Sequence, residues 1–461
     1  MKIAIIGAGW AGLTAAVEAT LAGHTVVVFE ASRFVGGRAR GINAKLPDGS
    51  PVTLDNGQHI LIGAYTETLR LMRQVGVDPQ AALKRLPLTL KFPDESGLQF
   101  PNWPSPQNAV GGILGAKGWR LADKLALLRV AAQWRFSHFN CDAALSVGEL
   151  CKGLPVAVMQ ELIEPLCVSA LNTPTHRASA QVFLRVMRDS LFGAAGSSDL
   201  LLPQLDLTAL FPLAATRWLA ERGTPVQLGT RVEQIRPVTQ NQDQVGWQVE
   251  GQVYDAVILA NSSSDSARAL SHIEFNASHF VAFQIQDWIA KANALQFEAI
   301  TTVYAWGARA VLARPMLALR ASSVNSSQVP AQFVFDRGQL GGPRGLLAFV
   351  VSASADERST LQAQVLVQAR NQLGLTLESV QTIVEKRATF ACTPALQRPP
   401  MQVAPGLLAC GDFIDGPYPA TIEGAVRSGV AAAGLLGRVL PDAQPPQPVQ
   451  PPQRFPQATG H

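Results

Sequence analysis

Three glycines near the N-terminus have the spacing of a turn that binds a dinucleotide. Gly7, Gly9 and Gly12 follow the apolar run 2–6, which is typical of a buried strand, and precede a stretch with helical character. The first glycine of such a turn permits a tight bend, the second lets the backbone approach a pyrophosphate, and the third lets the helix pack closely on the sheet. The N–H groups that begin the helix then attract the phosphates.

Glu30 ends a second apolar run, TVVVFE, which follows the helical stretch after a break at Gly23. A carboxylate at the end of this strand accepts hydrogen bonds from ribose hydroxyls and would repel a 2′-phosphate. Strand, turn, helix and parallel strand therefore follow one another as in a βαβ unit. The sequence predicts a Rossmann-like nucleotide-binding unit at the start of the chain, and NAD and FAD share its fingerprint.

Two further motifs distinguish between these cofactors. Gly36, Gly37 and Arg38 lie just beyond Glu30 and suit a second loop over the pyrophosphate, with the arginine as its charge partner. Late in the chain, the CGD motif at residues 410–412 ends an apolar run and precedes a helix of small residues. In order and position, these motifs resemble those of FAD-dependent amine oxidases and phytoene-type desaturases.

The resemblance implies FAD as the cofactor and gives roles to the matching residues. Asp412 would bind the ribityl hydroxyls, and the backbone of Val232 would contact the adenine. The helix N-terminus near residues 422–425 would stabilise negative charge on reduced flavin. The expected cofactor-binding residues are Gly7, Gly9, Trp10, Ala11, Gly12, Glu30, Ala31, Gly37, Arg38, Gly57, Gln58, Val232, Ala260, Asn261, Gly411, Asp412, Ile422 and Ala425.

Three other segments resemble the hydroxysqualene dehydroxylase family within that superfamily. They are DNGQH at residues 55–59, ALNTP at residues 170–174 and SDLLLP at residues 198–203. The resemblance covers about residues 1–440. It implies an apolar triterpene substrate, hydroxysqualene, whose hydroxyl is removed reductively to give squalene in hopanoid biosynthesis, with hydride from reduced flavin. The sequence shows no second dinucleotide fingerprint, so the electron donor is expected to be a separate, unidentified partner.

The candidate catalytic residues are His59 and Gln58, which follow the loop expected beside the flavin. An imidazole can protonate a departing hydroxyl near neutral pH, but His59 could instead fix the loop or bind the flavin. Gln58 could orient the hydroxyl or the flavin. Four charged residues, Arg185, Arg188, Asp189 and Asp199, suggest either a structural ion-pair set or a catalytic one.

Composition excludes several classes of protein. Of the 461 residues, 47% are hydrophobic and 16% are charged, so the chain can bury a large core and leave apolar surface for a ligand or a membrane. A net charge of +4 without a run of like charges argues against nucleic-acid binding. The five scattered cysteines and seven histidines show no metal-binding spacing, and we expect reduced thiols in a cytoplasmic protein without a metal.

The order of predicted elements indicates an α/β fold in which a mixed α+β substrate domain interrupts the Rossmann-like FAD-binding domain of the GR2 type. Strand-like runs recur at residues 224–235, 247–253 and 254–260 and again at 406–412, and long inserts separate these two groups from each other and from the N-terminal unit. We expect an FAD-binding domain in residues 1–80, 206–265 and 386–440, a substrate domain in residues 81–205 (helical) and 266–385, and a disordered Pro/Gln-rich tail in residues 441–461.

The segment 118–136 is predicted to be an amphipathic helix. Leucine and alanine side chains follow one face, basic residues flank it and tryptophans lie near its ends: Leu121, Leu125, Leu128, Ala132; Arg120, Lys124, Arg129, Arg135; Trp119, Trp134. Such a helix could lie in the interface of the cytoplasmic membrane, as a peripheral contact. The same pattern also fits a helix that packs its leucines on the substrate domain.

Three other functions share parts of this pattern. A carotenoid-type desaturase has the same fold and an apolar substrate but oxidises it, and the DNGQH and SDLLLP segments argue against it. A flavin amine oxidase surrounds its substrate with aromatic residues, whereas this chain has four tyrosines. A lipid chaperone resembling the GDP-dissociation inhibitors tolerates decayed flavin motifs, and the motifs here are intact.

Overall fold

The computed structural model describes residues 1–241, 244–273, 279–321 and 329–436. The tail predicted at residues 441–461 lies outside them. The strands are β1 (Lys2–Ile6), β2 (Thr25–Glu30), β3 (Gly41–Lys45), β4 (Pro51–Asp55), β5 (Leu61–Ile62), β6 (Leu83–Leu86), β7 (Thr89–Lys91), β8 (Gly97–Gln99), β9 (Leu200–Pro203), β10 (Val226–Leu228), β11 (Ile235–Asn241), β12 (Gln244–Val249), β13 (Gln252–Tyr254), β14 (Ala256–Leu259), β15 (Phe297–Trp306), β16 (Met316–Ala318), β17 (Phe333–Asp336), β18 (Leu346–Ser354), β19 (Glu378–Phe390), β20 (Gln402–Ala404) and β21 (Leu407–Ala409).

Helices fill most of the connections between these strands. They are α1 (Trp10–Leu21), α2 (Thr66–Gln74), α3 (Pro79–Ala82), α4 (Gln107–Leu114), α5 (Leu121–Phe136), α6 (Val147–Leu150), α7 (Val156–Val158), α8 (Glu164–Leu171), α9 (Ala180–Leu191), α10 (Leu207–Leu210), α11 (Pro212–Ala220), α12 (Ser263–Ser271), α13 (His279–Ala294), α14 (Arg358–Leu373) and α15 (Ile422–Leu436), with a π-helical turn at Met159–Ile163 and a 3₁₀ turn at Arg337–Leu340. Among the described residues, no helix has the length and hydropathy needed to cross a bilayer.

The nucleotide-binding sheet has the strand order β10-β2-β1-β14-β21-β20. Strand β1 pairs in parallel with β2 on one side and with β14 on the other, so that Ile5 lies between Val28 and Ile258. These strands are almost entirely apolar and buried, as expected of a parallel sheet covered on both faces. Helices α1 and α15 pack together on one face. The first and last parts of the chain therefore belong to one layered unit.

The α/β fold class is confirmed by this sheet and by the family relationship reported below, but one strand differs from its prediction. We expected a strand across residues 224–235, and the structure ends β10 at Leu228. Gly229 has φ +70°, and its N–H donates to Ser32 O, so the chain turns away from the sheet there. Residues 230–234 then form a loop that passes the carboxyl end of β2, where Thr230 N donates to Glu30 O.

A second, antiparallel sheet has the order β16-β17-β18-β15-β19. Side chains alternate between its two faces because successive residues of a strand point in opposite directions. On one face, Val334, Phe349 and Val303 pack with residues of α14. On the other face, Phe333 and Phe335 contribute to the wall of a large cavity. One side of this sheet thus forms a core and the other remains available to a ligand.

The helix predicted within residues 118–136 is present as α5, but its orientation contradicts part of the prediction. Trp119 and Trp134 are buried, where Trp119 Nε1 donates to Glu161 and Trp134 packs edge-on against Phe183. They therefore do not lie at a membrane interface. Two leucines of the predicted face point outward, Leu121 at 66% and Leu125 at 54% exposure, and so does Phe136 at 85%, whereas Leu128 packs partly against the core. The alternative prediction, that this face packs on the substrate domain, is also wrong for Leu121 and Leu125.

Asp55 joins the β3-β4 pair to α10 and β15, and it carries a buried carboxyl group. It ends β4, and its Oδ1 accepts a hydrogen bond of 2.7 Å from Leu207 N, while its backbone carbonyl accepts one of 3.0 Å from Tyr304 Oη. Oδ2 is buried without a hydrogen-bond partner. Burial raises the pKa of Asp55 to about 7. The carboxyl group is therefore protonated in mildly acidic solution even though it is aspartate in the unfolded chain.

The replacement Asp55→Asn is expected to flatten the pH dependence of stability. The folded pKa of about 7 exceeds the ordinary value of 3.8, so the wild-type free energy of unfolding falls as pH rises through this window and stays low above it. Urea unfolding is measured at pH 5 and at pH 8. From the lower to the higher pH, the free energy of unfolding of the variant should rise relative to that of wild type by on the order of 3 kcal/mol. Asp48→Asn, at an exposed turn, is the matched control, and an unchanged wild-type slope in Asp55→Asn would contradict this account of Asp55.

Candidate functional site

One cavity of about 940 Å³ lies where the carboxyl ends of β1, β2 and β14 meet the antiparallel sheet. In open α/β sheets, ligands bind at this edge, where the strand order reverses. The cavity begins at the loop 230–236 and passes the N-termini of α1 and α15. It ends against apolar side chains of the second sheet and α8. A single space therefore joins a polar, glycine-rich part to an apolar part.

The glycine turn has the close packing that its sequence predicts. Gly7 has φ +117°, and a Cβ there would lie 2.6 Å from the Ala260 carbonyl oxygen. A Cβ on Gly12 would overlap the Gly7 carbonyl oxygen. Gly12 thus packs beneath the turn and does not line the cavity, whereas Gly9 does. Helix α1 begins after Gly9 without a side-chain cap, so its first N–H groups are left for a phosphate.

Glu30 lies at the carboxyl end of β2 and organises the turn from its other side. Its Oε2 accepts a hydrogen bond of 2.7 Å from Ala8 N, and its Oε1 accepts one of 2.7 Å from Ser32 N. Each carboxylate oxygen has a second lone pair that can accept a hydroxyl proton. Glu30 lines the cavity, so the same side chain fixes the glycine turn and offers acceptors to a ribose.

Arg38 and Asp412 form an ion pair between the second glycine loop and the loop after β21. The arginine Nη1 also donates to the Ala388 carbonyl at 2.9 Å, near the end of β19. The neighbouring Asp412 carboxylate raises the pKa of Arg38 above its usual value. Three segments that are far apart in sequence are thereby joined at the middle of the cavity wall.

The N-terminus of α15 is held by a buried glutamate that sequence analysis missed. Glu423 accepts hydrogen bonds from Glu67 N, Thr68 N and Thr68 Oγ1, and Arg427 pairs with it at 2.7 Å. This fixes α15 against α2, while Ile422 and Ala425 face the cavity. The only hint in the sequence was a glutamate within a helix of small residues. Its partners Glu67 and Thr68 could not be inferred, because they lie in the N-terminal part of the chain.

Gln58 and His59 line the cavity next to each other. His59 Nδ1 lies 2.6 Å from the Gly57 carbonyl oxygen. Because a carbonyl can only accept, Nδ1 carries the proton and Nε2 of the neutral ring is an acceptor. Burial lowers the pKa of His59 below its usual value. The geometry thus favours a neutral imidazole that fixes the loop over a proton donor.

The ALNTP segment shapes the opposite wall of the cavity. Asn172 ends α8 in the left-handed conformation, with φ 45°. Its Nδ2 donates to Thr389 Oγ1 at 3.0 Å, and its Oδ1 accepts from Ala353 N at 2.7 Å. This one amide joins the helical insert to β18 and β19. The segment therefore contributes by holding the apolar wall together.

The predicted charged set does not form a single cluster. Arg185 and Arg188 both pair with Asp189 on α9, whereas Asp199 pairs with Arg85. These four residues do not line the cavity. These contacts fit the structural alternative. Asp199 lies one residue before β9, which pairs with β6, so its arginine comes from that neighbouring strand.

The structure brings the predicted cofactor-binding residues together on this one cavity, apart from Gly12 beneath the turn. On the wall are Gly7, Gly9, Trp10, Ala11, Glu30, Ala31, Gly37, Arg38, Gly57, Gln58, Val232, Ala260, Asn261, Gly411, Asp412, Ile422 and Ala425. Tyr65 and Arg268 also lie there without having been predicted. No set of three or more potential metal ligands is found within the residues that the structure describes.

Comparison with known proteins agrees with this geometry. Residues 10–436 match the model of the family described as flavin containing amine oxidoreductase. The hydroxysqualene dehydroxylase of Zymomonas mobilis is 26% identical over 94% of this chain and 98% of its own length, and that of Rhodopseudomonas palustris is 27% identical over 94% and 97%. A 15-cis-phytoene desaturase from Synechococcus elongatus is 33% identical, but over only 25% of this chain.

Solved structures share the fold. An oxidoreductase from Methanosarcina mazei superposes with a TM-score of 0.68 at 16% identity, covering 94% of this chain and 100% of that chain. A reduced UDP-galactopyranose mutase superposes with a TM-score of 0.63, at 16% identity over 94% of this chain and 95% of its own. The glycine turn, the uncapped start of α1 and the acceptors of Glu30 fit FAD. The chain belongs to the flavin containing amine oxidoreductase family and is an FAD-dependent oxidoreductase.

Proposed function

We propose that this enzyme removes the hydroxyl group of hydroxysqualene reductively and releases squalene, as a step of hopanoid biosynthesis. One observation carries the proposal: the similarity to hydroxysqualene dehydroxylases extends over 94% of the chain and includes the substrate sheet as well as the FAD motifs. When bound and reduced, FAD supplies the hydride for the new C–H bond and is oxidised, and the hydroxyl takes up a proton and leaves as water.

The polar part of the cavity would hold FAD. The N-terminus of α1 would bind the pyrophosphate, Glu30 the adenosine ribose and Val232 the adenine, while Asp412 would bind the ribityl chain. The N-terminus of α15 would face the flavin ring, where its partial positive charge stabilises an electron-rich ring. Arg38, paired with Asp412, would add positive charge near the phosphates.

The apolar part of the cavity would hold the triterpene. Its wall contains Phe333, Phe335, Val350, Ile300 and Val168. Loss of an allylic hydroxyl leaves a delocalised cation, which water would recapture as the alcohol. A wall of aromatic and aliphatic side chains excludes water from this position. The apolar sheet face therefore both binds the substrate and protects the reacting carbon.

Gln58 and His59 would act at the boundary between these two parts. Gln58 would donate a hydrogen bond to the substrate hydroxyl as the C–O bond breaks. His59 would hold the loop 57–59 through Gly57 and present Nε2 as an acceptor. Both residues precede β5, which pairs with β9 and so fixes the loop to the sheet.

Desaturation of a carotenoid-type substrate is the second candidate, favoured by the local similarity to a phytoene desaturase. It would use the same cavity with oxidised FAD, so the two functions differ in the direction of electron flow. Amine oxidation is less compatible with the cavity, since of the chain's four tyrosines only Tyr65 is on its wall. A lipid chaperone would need no flavin, whereas the flavin motifs line the cavity intact.

We also propose that the outward face of α5 lies on an anionic membrane, from which the substrate enters. Leu121, Leu125 and Phe136 form an exposed apolar stripe, and Arg129 and Arg135 flank it. The neighbouring segment adds exposed Trp103, Val110 and Leu114. Apolar side chains bordered by arginines are complementary to an interface with acidic headgroups. This is a peripheral contact.

The replacement Glu30→Ala should abolish retention of FAD. It removes the acceptors for the ribose and leaves the Ala8 N–H of the glycine turn without its partner, so the affinity should fall by about 100-fold. The absorbance ratio at 450 and 280 nm after purification measures the bound flavin. Glu30→Gln keeps one acceptor, so its flavin content should lie between those of wild type and Glu30→Ala. Glu221→Ala, at an exposed helix end, should have the flavin content of wild type. Full flavin content in folded Glu30→Ala would show that the ribose lies elsewhere.

The reaction is tested with photoreduced enzyme and hydroxysqualene under anaerobic conditions. We expect squalene in gas chromatography, in an amount that matches the flavin reoxidised. Oxidised enzyme without a reductant should leave the alcohol unchanged. Unchanged alcohol with reduced enzyme would contradict the proposal, and a more unsaturated product from oxidised enzyme would instead indicate a desaturase.

Membrane contact is tested by sedimentation with vesicles. Wild type should sediment with phosphatidylglycerol vesicles and much less with phosphatidylcholine vesicles. Leu121→Ser combined with Leu125→Ser removes two exposed leucines and should weaken binding by about tenfold or more. Val367→Ser, an equally exposed valine on α14, is the control. Sedimentation of the double variant at the wild-type level would contradict the assignment of this face.

A further inference from the structure

Arg337 is a buried cation directly behind the cavity. It follows β17 and is 7% exposed. Its Nη1 donates to Gln58 Oε1 and to the Pro203 carbonyl oxygen, each at 3.3 Å. Among the described residues it makes no direct ion pair, although its charge acts on the buried Asp55 carboxyl and lowers the pKa that burial raises there. Burying a guanidinium without a direct ion pair is costly, so its contacts with Gln58 and Pro203 need an explanation.

The contact with Arg337 determines which end of the Gln58 amide faces the cavity. A guanidinium has only donors, so the atom that meets it must be the amide oxygen. The amide nitrogen therefore points away from Arg337. One of its N–H groups makes a long contact of 3.4 Å with the His59 carbonyl oxygen. The other has no acceptor among the described hydrogen bonds, and Gln58 is on the cavity wall.

We propose that Arg337 is a positioning residue that fixes Gln58 as a hydrogen-bond donor toward the hydroxyl of the substrate, and that this pair makes the enzyme prefer an alcohol over the corresponding hydrocarbon. This inference rests on the proposed function, and it identifies the pair of residues that would determine specificity for the alcohol. The arginine polarises the amide and strengthens its N–H as a donor. Gln58 also places a neutral group between the charge of Arg337 and the carbon that becomes cationic.

The pair also accounts for release of the product. Hydroxysqualene satisfies the Gln58 N–H, whereas squalene has no oxygen and leaves a buried donor unpaired. A site built around a hydrogen bond discriminates strongly against an analogue that lacks the partner group. Squalene should therefore bind more weakly than its alcohol even though it has the same carbon skeleton. Removal of the hydroxyl therefore weakens binding and favours release of squalene.

The test compares binding of hydroxysqualene and squalene to the oxidised, FAD-loaded enzyme. Both compounds are supplied in the same detergent micelles, and the change in flavin absorbance is titrated without turnover. Wild type should bind the alcohol at least about tenfold more tightly than the hydrocarbon. Gln58→Met removes the N–H and offers the substrate hydroxyl no acceptor, and it should lose this preference while binding squalene as wild type does.

Arg337→Met should lose the preference to the same degree. The double variant Gln58→Met, Arg337→Met should lose no more, because the two residues act as one unit. Arg337→Lys, which keeps a charged donor, should restore part of it. Arg344→Met, at a nearby exposed arginine, should leave it unchanged. FAD content and melting temperature confirm that each variant is folded.

Two outcomes would overturn the inference. If Arg337→Met keeps the wild-type preference while wild type still forms squalene, the positioning role is wrong and the proposed function stands. If wild type binds alcohol and hydrocarbon equally, or binds neither, Gln58 does not recognise a hydroxyl. Absence of squalene formation in that protein would then overturn the proposed function as well.

Discussion

The site depends on the parallel pairing of β1 with β2 on one side and with β14 on the other. These strands come from residues 2–6, 25–30 and 256–259, and β21 adds the late segment 407–409. All four end at the same edge of the sheet, so Gly7, Glu30, Ala260 and Gly411 meet there although most of the chain separates them. A parallel sheet requires long crossover connections, and here those connections contain the substrate sheet. The pairing of β1 thereby determines where the proposed FAD site lies and which elements border it.

The loop 55–59 connects the two parts of the cavity, and contacts from several directions hold it. Leu207 and Tyr304 anchor Asp55, and the Arg38 carbonyl oxygen accepts a hydrogen bond from Asn56 Nδ2. Arg337 comes from the substrate sheet and holds Gln58. A loop fixed in this way presents its polar groups without reorganisation, which favours a reaction that depends on orienting one hydroxyl. The raised pKa of Asp55 shows that this anchoring costs stability at neutral pH.

The sequence predicted residues that act within one local motif, but it did not predict contacts between residues that are far apart in the chain. Gly7, Gly9 and Glu30 lie within one βαβ unit, so spacing alone placed them, and the matching motif placed Asp412. Glu423 and Arg337 were missed because their partners, Thr68 and Gln58, are hundreds of residues away. The α5 periodicity predicted a helix correctly, but periodicity does not tell which stripe is buried. Trp119 and Trp134 proved to be core residues because the adjacent helices cover them, whereas Leu121 and Leu125 face outward.

In the function proposed above, one cavity holds the flavin and the alcohol together, with the hydroxyl at Gln58. A crystal structure of the oxidised FAD complex with bound hydroxysqualene would test this arrangement. We expect the flavin between the N-termini of α1 and α15, the carbon chain along Phe333 and Phe335, and the hydroxyl oxygen within hydrogen-bonding distance of Gln58 Nε2. A hydroxyl group remote from Gln58, or a carbon chain outside the apolar wall, would contradict it.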